Sequence, residues 1–203
     1  MKIGMVLIMT ANIAFIVGNG PSRKPVDLYD LSDSGKVFGC NALYRDFPGL
    51  DYLVAIDEGM IEEITRISDP AFKAEVIFPI EDERYESAEY NPYQRRRSNA
   101  GMNAMLEAIR RGHNMLYCLG FDFILEGDAS VDNMYKNSNN YGPATHAAAS
   151  DNYYRIAYLE WFARQHNDVT FVMVVPEGVS RKKVDAENMI GMTIPTFIQK
   201  LHS

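Results

Sequence analysis

The sequence predicts an α/β protein: a three-layer, Rossmann-like, doubly wound and mainly parallel sheet with a long polar lid loop. Three observations predict it. Short apolar runs recur along the chain, each ending in small or polar residues. Helical patterns lie between those runs. One segment, residues 124–150, has almost no apolar periodicity and is rich in Asn, Asp, Ser and Gly. Continuous apolar strands mark a parallel sheet covered on both faces. Their alternation with helices gives the doubly wound arrangement.

The first element is a strand over Ile13–Val17, running into the turn Gly18-Asn19-Gly20-Pro21-Ser22. Strands follow over Lys36–Cys40, Tyr52–Ile56 and Ala74–Phe78, with a weaker helix over Glu58–Ile67. Asn99–Arg111 reads as a helix. Met102, Met105, Ala108 and Ile109 lie near one face, Arg110 and Arg111 complement the last turn, and Gly112 stops it. Met115–Leu119 is the fifth strand. Asp151–Gln165 is a helix with Tyr154, Ala157, Tyr158, Trp161 and Phe162 on one stripe, a face that packs on the sheet. Thr170–Val175 is the sixth strand. Residues 124–150, with Tyr135, Tyr141 and His146, are assigned as the lid, because polar stretches this long inside a domain are usually lids, binding loops or disorder. A second polar stretch, residues 81–98, carries Arg95, Arg96 and Arg97.

Composition bounds the function. The chain has 203 residues, 47% hydrophobic and 23% charged, which excludes disordered and disulfide-miniprotein classes and fits one domain over 1–203. A net charge of −7 argues against nucleic-acid duplexes as partners but allows a local basic site. Cys40 and Cys118 have no metal-ligand spacing and read as buried free thiols, so a reduced, cytoplasmic setting is expected. Residues 1–17 are largely apolar, but Gly4, Thr10, Ala11 and Asn12 interrupt them, so no membrane span is expected. Translation is expected to start at Met1 or at Met9. Oligomeric state, including a homo-oligomer, stays open. His113 and His166 end helices and read as dipole-favoured cations, and Asp46 and Asp82 as surface carboxylates.

The chemistry-bearing residues cluster at strand ends. A glycine-rich turn after the first strand lets backbone approach a phosphate, although Gly18 to Ser22 form neither a dinucleotide fingerprint nor a Walker loop. A tight structural turn explains the same pattern. Asn41 and Asp57 follow the second and third strands, where open α/β sheets bind ligands. Ser98 or Asn99 is an N-cap or a ligand contact, and Arg97 is a solvated charge or a clamp on phosphate or carboxylate. Gly120 and Asp122 close the fifth strand. His146 is a surface or packed residue or, at the rim of the predicted cleft, a general base.

Taken in order, Gly18-Asn19-Gly20-Pro21-Ser22, Phe38-Gly39-Cys40-Asn41, Asn99-Ala100-Gly101, Gly120-Phe121-Asp122-Phe123, His146 before Asp151, and Pro176-Glu177-Gly178 resemble bacterial family 42 sialyltransferases. They also resemble the wider group that includes 6-hydroxymethylpterin diphosphokinase-like proteins. The resemblance spans about residues 13–180. It implies a domain that binds CMP-sialic acid without a metal or other cofactor, the nucleotide-sugar being the substrate. Gly18, Asn19, Gly20 and Ser22 would meet the nucleotide phosphate or sugar, and Asn41 the nucleotide or donor sugar. Asn99, Ala100, Gly101, Gly120 and Asp122 would line the cytidine pocket. Arg97 would lie near the donor, and His146 would deprotonate the acceptor hydroxyl. Tyr135 and Tyr141 would stand in for lid tyrosines that stabilise the leaving phosphate. Three positions depart from the pattern: Asp57 replaces a donor-contacting Asn, Ala100 a Ser or Thr, and Ile124 an aromatic residue. The family's membrane-associating C-terminal extension has no counterpart after Ser180.

Three functions therefore compete. The first is metal-independent, inverting transfer from a nucleotide-activated, CMP-linked sugar. The second is a pyrophosphokinase-like activity with Mg²⁺ on Asp57, Glu58 and Asp122, joined by Glu126 or Asp128. The third is a non-catalytic nucleotide-binding protein.

Overall fold

A computed structural model describes residues 11–79, 98–143 and 149–203. Seven apolar segments pair in it as one all-parallel sheet. They are β1 (Ile13–Val17), β2 (Lys36–Cys40), β3 (Tyr52–Val54), β4 (Glu75–Ile77), β5 (Met115–Leu119), β6 (Thr170–Val175) and β7 (Met189–Thr193). The helices are α1 (Tyr29–Ser32), α2 (Glu58–Thr65), α3 (Ala100–Arg110), α4 (Ala149–Gln165) and α5 (Ile194–Leu201). Strand order is β4-β3-β2-β1-β5-β6-β7. The architecture is a Rossmann-like α/β fold. Its sheet grows outward from β1 in one direction through β4, then restarts at β5 on the other side of β1.

The strands are apolar on both sides, and their residues alternate between two buried clusters. Ala14, Ile16, Phe38, Leu116, Cys118, Phe171 and Met173 pack with Met102, Met105 and Ala108 of α3 and Leu159 and Phe162 of α4. The alternate strand residues, among them Phe15, Val17, Val37, Leu53, Tyr117, Leu119 and Val172, pack with Leu31 of α1, Met60 and Ile64 of α2, and Ile194 and Phe197 of α5. Phe15, Phe38, Phe171 and Phe197 are fully buried, and each contributes about 1.5–3 kcal/mol by leaving water.

Local signals place the helix ends. Asn99 accepts from the Met102 amide at 2.9 Å and caps α3. Gly112 takes a φ of 85° just past its end. On α4, Tyr158 and Phe162 of the expected stripe lie in the core.

Two features differ from the sequence reading. The tail after Ser180 holds β7 and α5. Thr193 caps α5 with its hydroxyl, and Pro195 stands in the first turn. His113 and His166 are not simple end-of-helix cations, because burial lowers the pKa of both below the ordinary 6.5. Asp46 is exposed, as a surface carboxylate should be, and it also has partners. It meets the buried Arg23 guanidinium at 3.2 Å and accepts from the Tyr135 hydroxyl at 2.7 Å. Asp82 lies outside the described residues. Cys40 and Cys118 are both buried and unpaired. Among the described residues no helix is long and apolar enough to cross a membrane.

Residues 124–143 are short turns rather than an unstructured span. Asn137 and Asn140 adopt φ of 61° and 64°, a left-handed conformation that Asn tolerates better than most residues. Asn133 accepts the Tyr135 amide at 2.9 Å. Arg45 ties the segment to α2, donating to Ser138 Oγ at 2.9 Å and to Glu63 Oε2 at 2.7 Å. Asn140 donates to the same Glu63 at 2.8 Å.

Candidate functional site

The sheet order creates the site. β1 leads to β2 on one side, and β5 leads to β6 on the other. The loops leaving their carboxyl ends therefore part, and open α/β sheets bind ligands in the crevice so formed. A cavity of about 310 Å³ opens there. The loops after β1, β2, β3 and β5, the start of α3, Ser130, Asp132, Asn133, Tyr141 and Arg155 surround it.

The wall between β1 and β5 is backbone zipped to backbone. The Gly18 amide donates to Leu119 O at 2.8 Å, and the Gly20 amide to Gly120 O at 3.0 Å. A Cβ on Gly18 would stand 2.6 Å from Gly120 O, so both chains approach too closely for a side chain. Gly120 also takes a φ of 69°. A Cβ on Gly20 would fall 2.3 Å from the Asp122 carboxyl carbon. Glycine stands in this turn because the neighbouring loop fills the space. These two amides are engaged by carbonyls, so the phosphate cradle expected of the turn is not formed by them.

Asp122 continues the zip. It is buried, and its carboxylate accepts from the Ser22 amide at 2.9 Å and from the Ser22 hydroxyl. Burial raises its pKa above the usual 3.8, while the Ser22 bonds pull the other way. Behind the turn, Arg23 is 4% exposed. It donates to Gly18 O at 2.9 Å and to Tyr135 Oη at 3.0 Å.

The opposite wall presents side chains. Asn41 holds a left-handed φ of 49° at the end of β2 and is 8% exposed. Its amide nitrogen donates to Asp57 Oδ2 at 2.8 Å, which assigns the nitrogen to that side. Its oxygen is buried without a hydrogen bond. Backbone strain and an orphan acceptor at a cleft wall are features that cluster at ligand sites. Asn19 donates to the Tyr141 hydroxyl at 3.1 Å, and its carbonyl receives the Met134 amide at 2.9 Å. Burial raises the pKa of Tyr141 and Tyr135 and keeps both protonated. Burial likewise pushes the Cys40 thiol up to about 12, so it is no nucleophile at neutral pH.

At α3 the Asn99 cap claims the Met102 amide, and the Asn99 carbonyl receives the Asn103 amide at 3.1 Å. The Ala100 and Gly101 amides precede these at the cavity. A Cβ on Gly101 would lie 2.8 Å from the Phe121 ring, so that ring packs directly on the helix start.

The fold thus brings Gly18, Asn19, Gly20, Asn41, Asp57, Asn99, Ala100, Gly101, Gly120, Asp122 and Tyr141 to one cavity. Ser22 stands behind it on Asp122. Tyr135 is not among the lining residues: it belongs to the same buried cluster as Val17, Leu43 and Phe47, with its hydroxyl held by Arg23 and Asp46. His146 and Arg97 lie outside the described residues. Sequence reasoning missed Arg155 and Asn152 of α4, and Arg23. The signal for Arg155 was a cation early in a helix whose stripe is otherwise aromatic; the signal for Arg23 was a basic residue directly after a glycine turn. Among the described residues no group of His, Cys, Asp and Glu has the arrangement of a metal site.

The fold and this crevice define the chain as a Rossmann-like α/β protein. Comparisons with protein-family models, with curated proteins and with solved structures return no match.

Proposed function

We propose that the protein binds a nucleotide at the β1/β5 crevice and transfers a sugar from a nucleotide-activated donor, CMP-linked as the motif resemblance suggests. One observation carries the reading. A Gly-Asn-Gly turn, the first turn of α3 and two strand-end polar residues meet in one cavity at the point where parallel sheets bind nucleotides. In this reading the helices form outer layers on both faces of the sheet, and residues 124–150 act as the lid. Tyr141 faces the leaving phosphate as a neutral hydrogen-bond donor, as its raised pKa favours. His146 takes the acceptor proton and Arg97 approaches the donor. The reaction inverts at the sugar carbon and uses no metal. The protein is read as cytoplasmic.

The test is a thermal-shift panel of CMP, CDP, UMP, GDP and ATP, each with and without Mg²⁺. A ligand at about 100 times its Kd stabilises the native state by ~2.7 kcal/mol. CMP is expected to raise Tm with or without Mg²⁺, and a CMP-sugar to be hydrolysed slowly with release of CMP. Binding of ATP alone, and only with Mg²⁺, would replace this reading with pyrophosphate transfer. CMP binding without turnover would make the chain a non-catalytic nucleotide binder.

A further inference from the structure

Tyr141 lines the cavity, yet residues 136–140 before it are exposed. Apolar burial holds little of that segment, so polar contacts must hold it. Arg45, in the turn after β2, supplies several of them. Its Nε donates to Glu63 Oε1 at 2.9 Å and its Nη2 to Glu63 Oε2 at 2.7 Å, a side-on fork onto α2. Its Nη2 also donates to the Asn139 carbonyl at 3.0 Å, and its Nη1 to Ser138 Oγ at 2.9 Å. The guanidinium carbon lies 5.8 Å from the centre of the Tyr135 ring and 5.9 Å from that of Tyr141, within reach of a cation–π contact. One side chain thus touches α2, the segment and the tyrosine at the cavity. The Arg45 and Glu63 side chains are 21% and 23% exposed, so solvent screens this pair less than a surface pair.

A second feature points to the same docking. Asn140, one residue before Tyr141, donates to Glu63 Oε2 at 2.8 Å and to the Gly59 carbonyl at 3.1 Å. Gly59 lies in the first turn of α2, where glycine weakens a helix. A Cβ at that position would stand 2.4 Å from Asn140 Oδ1. The helix therefore leaves a seat that the Asn140 side chain fills. Asp57, at the N-terminal end of α2, lines the cavity as Tyr141 does. The helix that holds the tyrosine segment thus also carries part of the cavity wall. Arg45, Gly59, Glu63 and Asn140 do not themselves line the cavity.

We infer that Arg45 and Glu63 are positioning residues for Tyr141, and that with Asn140 seated on Gly59 they form a latch that keeps Tyr141 at the cavity. Ligand affinity is then governed from α2, by side chains that the ligand does not touch. The inference rests on the nucleotide reading of the same crevice for the ligand that Tyr141 meets. It adds to that reading a control of the site.

Two measurements on the full chain test it: amide hydrogen exchange without ligand, and calorimetric titration with CMP. Wild-type protein, Arg45→Gln, Gly59→Ala, Tyr141→Ala and the Arg45→Gln/Tyr141→Ala double variant are compared, each first shown to melt cooperatively. The Tyr141 amide donates to the Ser138 carbonyl at 2.9 Å and the Ser138 amide to the Tyr135 carbonyl at 3.1 Å, so both report on the segment. Arg45→Gln should speed their exchange at least ~10-fold, as expected for loss of a charge-assisted bond, and leave β1 and β5 at the wild-type rate. Gly59→Ala should do the same by displacing Asn140, and it should have no such effect in an Asn140→Gly background. Arg45→Gln should weaken CMP ~10-fold. The double variant should bind CMP no more weakly than Tyr141→Ala, because Arg45 acts through Tyr141. A merely structural Arg45 would instead add its loss to that of Tyr141→Ala. Segment exchange at the wild-type rate in Arg45→Gln, or a rise shared equally by β1 and β5, overturns the latch whatever CMP does. Faster segment exchange with CMP affinity unchanged overturns the positioning role and leaves the nucleotide reading standing. Faster segment exchange in a protein whose wild type does not bind CMP supports the latch and overturns the nucleotide reading.

Discussion

The two walls of the crevice differ in where their polar groups are directed. On the β1/β5 wall, the Gly18 and Gly20 amides meet carbonyls, and Ser22 meets Asp122. That wall is a seam between two loops, and its chemistry is structural. At the end of β2, Asn41 holds a buried oxygen without a donor, and Arg155 of α4 also lines the cavity. The difference teaches that a glycine-rich turn can owe its glycines to a neighbouring strand rather than to a ligand. In the proposed reading, recognition then falls to the other side chains that line the cavity.

Three substitutions test that contrast. Gly18→Ala should have the largest effect. Its Cβ would meet the Gly120 carbonyl at 2.6 Å, and backbone cannot rotate aside as a side chain can. A loss of about 3 kcal/mol is expected, or roughly 6–12 °C in Tm for a chain of this size. Gly127→Ala is the control: its Cβ meets nothing within 4 Å, and its φ of 70° alone should cost about 1 kcal/mol. If the two variants melt alike, the seam is not closely packed and its amides become available to a ligand again.

Asn41→Gly comes next. Glycine accepts the φ of 49° without strain, so stability should move by less than about 1 kcal/mol, while CMP affinity should fall about tenfold. Calorimetric titration reads both walls at once. Unchanged affinity would mean that the facing wall does not recognise the ligand.

Asp122→Asn gives the smallest effect, visible in the pH dependence of stability. The folded pKa of Asp122 lies above the ordinary 3.8. A raised folded pKa contributes stability that is fully present below the unfolded value and is lost as pH rises through the folded value. Urea unfolding from acid to neutral pH should therefore show a falling contribution from Asp122 in wild type, absent from Asp122→Asn. A wild-type curve parallel to that of the variant would mean that burial of this carboxyl is compensated by Ser22.

Much of the scaffold was legible because its signals are short-range. Ile13–Val17 and Met115–Leu119 are continuous apolar runs, and both are strands at those residues. Asn99 before a helical pattern announces a cap, and it is one. Met189–Thr193 escaped notice because Gly191 and Thr193 dilute its apolar pattern at the sheet edge, where burial is partial. The 124–143 segment was harder for another reason. Its Asn and Asp residues look like a composition of disorder, yet Asn137 and Asn140 serve left-handed turns and Asn133 closes one by hydrogen bond. Composition does not distinguish a polar loop exposed to water from one whose side chains cap its own backbone.

The sequence by itself determined the parallel-sheet class, the glycine turn after β1 and the polar residues at the strand ends, because apolar periodicity and turn chemistry act over a few neighbouring residues. Only the tertiary structure decided which of those groups remain for a ligand. Gly18 and Leu119 are about 100 positions apart, as are Ser22 and Asp122, and their pairing exists only because β5 returns beside β1. The same long-range packing places Arg155, inconspicuous on an aromatic helix, beside a cavity walled by carboxylates.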